Sequence, residues 1–107
     1  MTPRNPGEPP VDFSGEMREL LELFLETRRA DLVRLDAAYA VLDFAAIRAI
    51  GHAFRGSSAS FGFPEAGRIG AALEEAAGRA DRMAVQDLVP RLRESIPETG
   101  SQAPPPP

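Results

Sequence analysis

Apolar residues in the first half of the chain recur at helical spacing. One face begins near Ser14 and repeats at i, i+3, i+4 and i+7, and a second series of similar spacing follows. The two series are Met17, Leu20, Leu21 and Phe24, then Leu32, Leu35, Tyr39 and Leu42. Thr27 lies between them, and it either caps a second helix or lies inside one helix that bends. No stretch alternates apolar and polar residues over the length of a strand, so we expect an all-helical protein.

Three residues mark the ends of the next helices. Asp43 is a good N-cap, because its carboxylate can accept hydrogen bonds from the free backbone N–H groups of the first turn. That helix is expected to end near Gly62, and Pro64 suits the first turn of the helix that follows. The latter carries a stripe of mostly small residues, namely Ala66, Ile69, Gly70, Leu73, Ala76 and Ala77. Small side chains allow two helix axes to approach closely.

Asp81 is the N-cap of the last expected helix. Its apolar face comprises Val85, Leu88, Val89, Leu92 and Ile96. Pro90 disturbs this pattern, because a proline inside a helix removes one backbone hydrogen bond and costs about 3 kcal/mol or bends the helix. The helix therefore either kinks at Pro90 or restarts at Asp87, and both alternatives predict an irregularity within residues 86–90.

These elements predict an antiparallel, up-and-down four-helix bundle with an additional short or kinked N-terminal helix. The folded part is expected to cover residues 13–96. Residues 1–12 and 97–107 are rich in proline and poor in apolar residues, so we expect two flexible tails. The initiating methionine favours a free-standing protein, although the proline-rich end also suits a domain cut from a longer chain.

The composition excludes several classes of function. The 107 residues contain no cysteine and one histidine, which excludes disulfides, zinc sites built on cysteine and thiol catalysis. The net charge of −4 argues against binding to nucleic acid or to an anionic membrane. No apolar run approaches the ~20 residues that a membrane span requires. We therefore expect a cytoplasmic protein.

The single histidine, His52, is the first candidate for chemistry. On a wheel of ~100° per residue, the apolar residues of its helix lie opposite to it. They are Phe44, Ile47, Ile50, Gly51, Phe54, Ser58 and Phe61. The residues nearest to His52 on the wheel are small or cationic, namely Ala45, Arg48, Ala49, Arg55, Gly56 and Ala59. His52 should therefore be exposed, where a histidine ring is mostly neutral at pH 7 and can act as a nucleophile.

The neighbours of His52 could assist such a nucleophile. Arg48 and Arg55 lie one turn to either side of it, and each can donate hydrogen bonds to a phosphoryl oxygen. Gly56 costs ~1 kcal/mol relative to alanine inside a helix, which indicates either close approach of a partner or tight packing against another helix. A lone exposed histidine is more often an ordinary surface residue, so the spacing alone leaves both interpretations open.

The residues from His52 to Gly62, HAFRGSSASFG, resemble the signature of histidine phosphotransfer (HPt) domains, H-x-(apolar)-K-G-(S/A)-(S/A)-x-x-(apolar)-G. The segment ELLELFLETRRADLVRLDAAY resembles the first helices of that family, and AALEEAAGRAD resembles the helix after the histidine helix. HPt domains are up-and-down four-helix bundles with the histidine exposed on a central helix, and the resemblance implies this fold here.

The resemblance also implies roles for single residues. His52 corresponds to the phosphorylated histidine, and Arg55 stands where the family has a lysine that helps to hold the phosphoryl group. The charge is kept, but the planar guanidinium is bulkier than an ammonium group. Gly56 corresponds to the small residue that allows close approach. Glu74 falls where HPt domains of chemotaxis kinases have a glutamate that orients the histidine.

The implied activity is that of a phosphoryl carrier, not of an enzyme with a nucleotide site. Its partners would be receiver domains of response regulators, a hybrid histidine kinase, or both. The Mg²⁺ belongs to the receiver in this family, so no cofactor of its own is expected. Besides Gly56 and Glu74, the receiver would contact Ala45, Arg48, Ala49, Ala59, Arg68 and Ala71. A monomer is expected, because one exposed histidine needs no second subunit.

Two alternatives remain open. The protein could be an HPt-like docking module that is not phosphorylated and inhibits a receiver or a kinase. It could also be a helical adaptor that acts through its proline-rich ends. A dimeric histidine-kinase core is disfavoured, because Ala53 follows His52 where such cores have a glutamate.

Overall fold

The computed structural model describes residues 14–97, and this range is all-helical, as expected. It contains four α-helices and one 3-10 turn, namely α1 (Ser14–Ala40), α2 (Phe44–Ser57), the 3-10 turn (Ala59–Phe61), α3 (Pro64–Gly78) and α4 (Arg82–Glu94). The expected tails lie outside the described residues, apart from Pro97. The carbonyl of Pro97 accepts a hydrogen bond from Arg29 Nε at 3.1 Å, which holds this residue against α1.

The first helix, α1, is continuous over 27 residues. Thr27 is not a cap, because it lies within α1 and its hydroxyl donates to the carbonyl of Leu23 at 2.8 Å. Threonine can bond to the carbonyl one turn earlier without leaving the helix. The expected additional N-terminal helix therefore does not occur within residues 14–97.

The apolar face of α1 is buried only from Phe24 onward. The sequence pattern places Met17 and Leu20 on the core face, but they are 54% and 50% exposed. Phe24 stacks on Phe61 with ring centroids 4.5 Å apart, so the 3-10 turn lies opposite Phe24. Met17 and Leu20 lie one to two turns earlier in α1, and no described element buries them. This part of the core prediction was wrong.

Local signals account for the ends of the later helices. Asp43 and Asp81 are N-caps, because Oδ1 of each accepts a hydrogen bond at 3.1 Å from the backbone N–H three residues later. Helix α2 ends at Ser57, earlier than the end expected near Gly62, and Gly62 instead follows the 3-10 turn with φ of 92°, a left-handed conformation that favours glycine. Pro64 occupies the first turn of α3, as the sequence predicts.

Pro90 does not interrupt the last helix, so the predicted restart at Asp87 was wrong, whereas a kink at Pro90 stays a prediction. Helix α4 runs unbroken from Arg82 to Glu94, and Asp87 begins no new helix. Pro90 and Gln86 are both exposed. The carbonyl of Gln86, which loses its N–H partner, can therefore bond to water. The apolar face of α4 stays buried on the opposite side.

The core is shared by all four helices. Its large, fully buried side chains are Leu35, Ile47, Phe54, Leu73, Val85 and Leu92. The small residues of α3 are buried as predicted, and the most extensive interface joins α3 to α2. No helix in the described range has the length and apolar character to span a membrane.

Candidate functional site

His52 lies on the outer face of α2, and its side chain is 62% exposed. The buried face of the helix consists of Ile47, Ile50, Gly51 and Phe54. The exposed neighbours of His52 are Ala45, Arg48, Ala49, Arg55 and Gly56. The predicted exposure of the imidazole is confirmed, because the apolar arc of α2 points to the core and leaves the opposite side open.

Glu74 of α3 connects His52 to Arg55. Its Oε2 lies 2.7 Å from His52 Nδ1, and its Oε1 lies 2.9 Å from Arg55 Nη1. The Glu74 side chain is only 17% exposed, whereas those of His52 and Arg55 are 62% and 54% exposed, so this contact is partly open to water. The two helices that carry these groups approach each other closely at Gly51 and Gly70.

The contact with Glu74 assigns the protons of the His52 ring. A carboxylate can only accept hydrogen bonds, so Nδ1 carries the hydrogen that lies between the two groups. In a neutral imidazole the other nitrogen, Nε2, then has the free lone pair. Because the ring is largely exposed, this lone pair is open to an electrophile brought by another molecule.

The two arginines beside His52 differ in their partners. Arg55 is paired with Glu74. Arg48 forms no ion pair with any carboxylate of residues 14–97, and its side chain extends toward Gly78 at the end of α3. Arg48 also lines a shallow groove together with Ala45, Ala49, His52 and Glu74. The positive charge of Arg55 is therefore balanced by Glu74, whereas no carboxylate of residues 14–97 balances that of Arg48.

A second groove runs between α2 and α3 on the far side of Glu74. It is lined by Arg48, Arg55, Ala71, Glu74, Glu75 and Gly78. Ala71, which the sequence places at the docking surface, thus lies beside the site. Arg68 is exposed on α3 and pairs with Glu65 at 2.7 Å. Ala71 shares this groove with Glu74, and a role of Arg68 in docking stays a prediction.

Two details of the sequence interpretation need correction. Ala59 is exposed, but it lies in the 3-10 turn after the end of α2 at Ser57, so its wheel position beside His52 was wrong. Gly56 is not a packing residue, because a Cβ atom there would meet nothing within 4 Å. Tight packing is therefore not the reason for a glycine at this position, and the close approach of a partner stays a prediction.

Sequence reasoning missed a partly buried arginine that joins α1 to α2. The guanidinium of Arg28 lies 5.6 Å from the ring centroid of Phe54 and 5.8 Å from that of Phe24, within the range of cation–π attraction. Its Nη1 lies 3.5 Å from the hydroxyl of Ser57. The spacing of Arg28 and Asp31 at i and i+3 was a signal in the sequence, but it does not reveal the contact with α2.

The comparisons with known proteins agree with this geometry. The family model of the Hpt domain matches residues 19–102, which include α2, α3, α4 and most of α1. No curated protein and no solved structure matches the chain. Hpt domains are phosphocarrier modules of two-component signalling rather than enzymes. Since the match covers well over half of its length, the chain belongs to the Hpt domain family.

Proposed function

We propose that the protein is a phosphorelay intermediate in which Nε2 of His52 carries the phosphoryl group. His52 would accept it from an aspartate of a receiver domain or from a histidine kinase, and donate it to the aspartate of a receiver. The observation that carries this proposal is the 2.7 Å contact between Glu74 and Nδ1 of an exposed ring. It leaves Nε2 as the free nucleophile, in a family whose role is phosphotransfer.

The chemical step balances without a cofactor of this chain. Nε2 attacks the phosphorus of the aspartyl phosphate, the N–P bond forms, and the P–O bond to the aspartate breaks to release its carboxylate. The ring keeps its Nδ1 proton and becomes a phosphorylated imidazolium cation. Glu74 stabilises that positive charge through a charge-assisted hydrogen bond. Transfer to the next aspartate reverses each of these changes, and the receiver supplies the Mg²⁺.

The other residues support the transferred group. Arg48, unpaired within residues 14–97, can donate hydrogen bonds to phosphoryl oxygens. Arg55 contributes by holding Glu74 and offers a second donor beside His52. Gly56 leaves the surface next to His52 free of any side chain.

The receiver would dock on the side of the bundle that carries His52. The small residues Ala45, Ala49 and Ala71 line the two grooves of this surface, and Ala59 and Arg68 stay predicted contacts of the receiver. Complexes of this transient kind bury a modest area. A monomer suffices, because every group invoked comes from one chain.

We also infer that the four helices follow one another up and down in antiparallel order. The contacts support this order, because residue numbers fall along one helix as they rise along its neighbour. On α1 and α2, Arg28 lies beside Phe54 and Phe24 beside Phe61. Between α2 and α3, Gly51 lies beside Glu74 and Ser58 beside Gly67, so the numbers again run in opposite directions. Between α1 and the end of α4, Arg29 contacts Pro97 and Asp36 contacts Arg93.

The test compares the wild type with His52→Gln, incubated with phosphorylated receiver domains and autophosphorylated hybrid kinases. The wild type should acquire label that is lost in acid and retained in base, as expected for phosphohistidine. The variant should remain unlabelled, although it still binds the receiver. If neither protein is labelled by any donor and both bind a receiver, the relay is wrong and the protein is a docking module.

A further inference from the structure

The crossing of α2 and α3 is closest at two glycines beside the site. A Cβ atom at Gly51 would lie 2.7 Å from both the backbone nitrogen of Glu74 and the carbonyl oxygen of Gly70. A Cβ atom at Gly70 would lie 2.6 Å from Phe54 Cβ, 2.8 Å from the Gly51 oxygen and 2.9 Å from the Arg55 nitrogen. Non-bonded heavy atoms prefer a separation of about 3.5–4.0 Å. Neither position therefore has room for a methyl group.

The clash at these positions could not be relieved by a side-chain rotation. Apart from Phe54 Cβ, the atoms that a new methyl would meet belong to the backbone of the facing helix. The two helices would have to separate by several tenths of an ångström before the contacts became ordinary. A regular helix is stiff, so a shift at one residue of α2 or α3 also moves the neighbouring turns and their side chains.

The backbone atoms at this crossing belong to the site itself. Gly51 directly precedes His52, and the atoms facing the two glycines include the backbone nitrogens of Glu74 and Arg55. The His52–Glu74 contact of 2.7 Å tolerates an increase of about 0.5 Å before it leaves the normal range of hydrogen bonds. The separation of the helices therefore sets whether Glu74 reaches Nδ1.

We propose that Gly51 and Gly70 are positioning residues that hold α2 and α3 at the separation where Glu74 selects the Nδ1–H tautomer of His52. This inference rests on the proposed function for its purpose, but the tautomer can be measured without any partner. With the contact intact, Nε2 stays unprotonated and nucleophilic. With the helices further apart, His52 redistributes its proton between both nitrogens, as a free histidine does.

The decisive measurement is the pair of imidazole ¹⁵N chemical shifts of the full chain, at a pH where the ring is neutral. The wild type should show a protonated Nδ1 and an unprotonated Nε2. Gly51→Ala and Gly70→Ala should each show intermediate shifts that indicate mixed tautomers. Where a phosphoryl donor is known, both should also accept label roughly tenfold more slowly, as for the loss of one charge-assisted hydrogen bond.

Gly67→Ala is the matched control, because Gly67 lies one turn before Gly70 on the same helix and is also buried. A Cβ atom there would lie 3.7 Å from Ser58 Cβ, an ordinary contact. This variant should keep the wild-type tautomer. A change of tautomer equal to that of Gly70→Ala would overturn the proposal, because any change in packing would then suffice.

Glu74→Asp keeps the proposal testable if the glycine variants do not fold. It withdraws the carboxylate by one methylene group and leaves both glycines in place. Mixed tautomers in this variant would show that the tautomer of His52 depends on the distance between Nδ1 and the carboxylate. A fully retained Nδ1–H tautomer, in Glu74→Asp or in a folded glycine variant, overturns the inference. If the tautomer shifts as expected but no donor labels His52, the proposed function fails and the positioning role stands.

Discussion

Two carboxylates of this protein each hold two basic side chains, but they do so in different settings. Asp31 holds two arginines of its own helix, α1, and its side chain is 8% exposed. Glu74 lies on α3 and holds a histidine and an arginine of α2. In the first case the arrangement lies within one helix, and in the second it joins two helices and includes the ring that we propose is phosphorylated.

The Asp31 cluster consists of groups that cannot react. Arg28 lies 3.3 Å from Asp31 through its Nε and is 13% exposed, and Arg34 contacts the other carboxylate oxygen. A guanidinium remains protonated in proteins and has no lone pair to offer. Asp31 balances the charge of Arg28, whose guanidinium lies against the ring of Phe54. The cluster therefore supports the packing of α1 against α2.

The Glu74 cluster differs because one of its partners is an imidazole. His52 has two ring nitrogens, and the hydrogen bond at Nδ1 leaves Nε2 with its lone pair. His52 is also exposed, whereas Arg28 is covered. A carboxylate between two basic groups therefore indicates a reactive site only when one of those groups keeps an accessible atom with a free lone pair.

Of the changes that break either cluster, Asp31→Ala is expected to have the largest effect, and that effect is on the free energy of unfolding. The variant should lose about 2–3 kcal/mol in the free energy of unfolding, because Arg28 is left without its counter-charge in a covered position. Urea denaturation measures this loss. Phosphotransfer by the folded fraction should match that of the wild type.

Asp36→Ala is the control for Asp31→Ala. Asp36 pairs with Arg93 in an exposed position, so its removal should cost less than about 1 kcal/mol. Equal losses in the two variants would show that burial does not distinguish the Asp31 cluster from a surface ion pair.

The next largest effect is expected for Glu74→Gln, which should lower the rate of phosphoryl transfer. The amide keeps the shape of the carboxylate but removes the charge that stabilises the phosphorylated ring, so transfer should slow roughly tenfold. The free energy of unfolding should change by less than about 1 kcal/mol. Rapid-quench transfer from a phosphorylated receiver measures the rate.

The neighbouring residue provides the control for Glu74→Gln. Glu75 lines the same groove, but its carboxylate pairs with Arg79 at 2.9 Å and not with His52. Glu75→Gln should therefore transfer at the wild-type rate. If the two variants slow transfer equally, the general charge of the groove matters and the contact with Nδ1 does not.

The smallest effect is expected for Arg55→Ala. Arg55 is exposed and pairs with Glu74. In the proposed relay it supports His52 through that carboxylate, so transfer should slow about two- to fivefold, or the phosphohistidine should be lost faster. Circular dichroism should show unchanged helicity. Arg91→Ala, which breaks an exposed pair with Asp87 on α4, is the matched control, because Arg91 is 53% exposed and Arg55 is 54% exposed. An unchanged rate for Arg55→Ala at equal helicity would show that Arg55 is only a surface residue.

Much of the fold followed from local signals in the sequence. The caps at Asp43 and Asp81, the turn at Gly62 and the buried stripe of α3 depend on residues within a few positions of one another. Such signals fail where a neighbouring element decides the outcome. The periodicity placed Met17 in the core, although no described element covers it.

The candidate site was only partly predictable. The wheel placed His52 on the open face of α2, and the family resemblance singled out Glu74. Neither could show that one carboxylate connects His52 to Arg55, or that Arg48 lacks a partner within residues 14–97. The sequence also identified Gly56 as a possible packing residue, whereas the tight contacts lie at Gly51 and Gly70.

The sequence by itself indicated where most of the helices lie and which face of α2 carries His52, because both properties repeat every few residues along the chain. Only the tertiary structure decided that Nδ1 of His52 meets Glu74 and that Nε2 is left free. The reason is physical, since the distance between two side chains on different helices depends on how closely their backbones pack. Here the backbones of α2 and α3 come close where Gly51 meets Gly70.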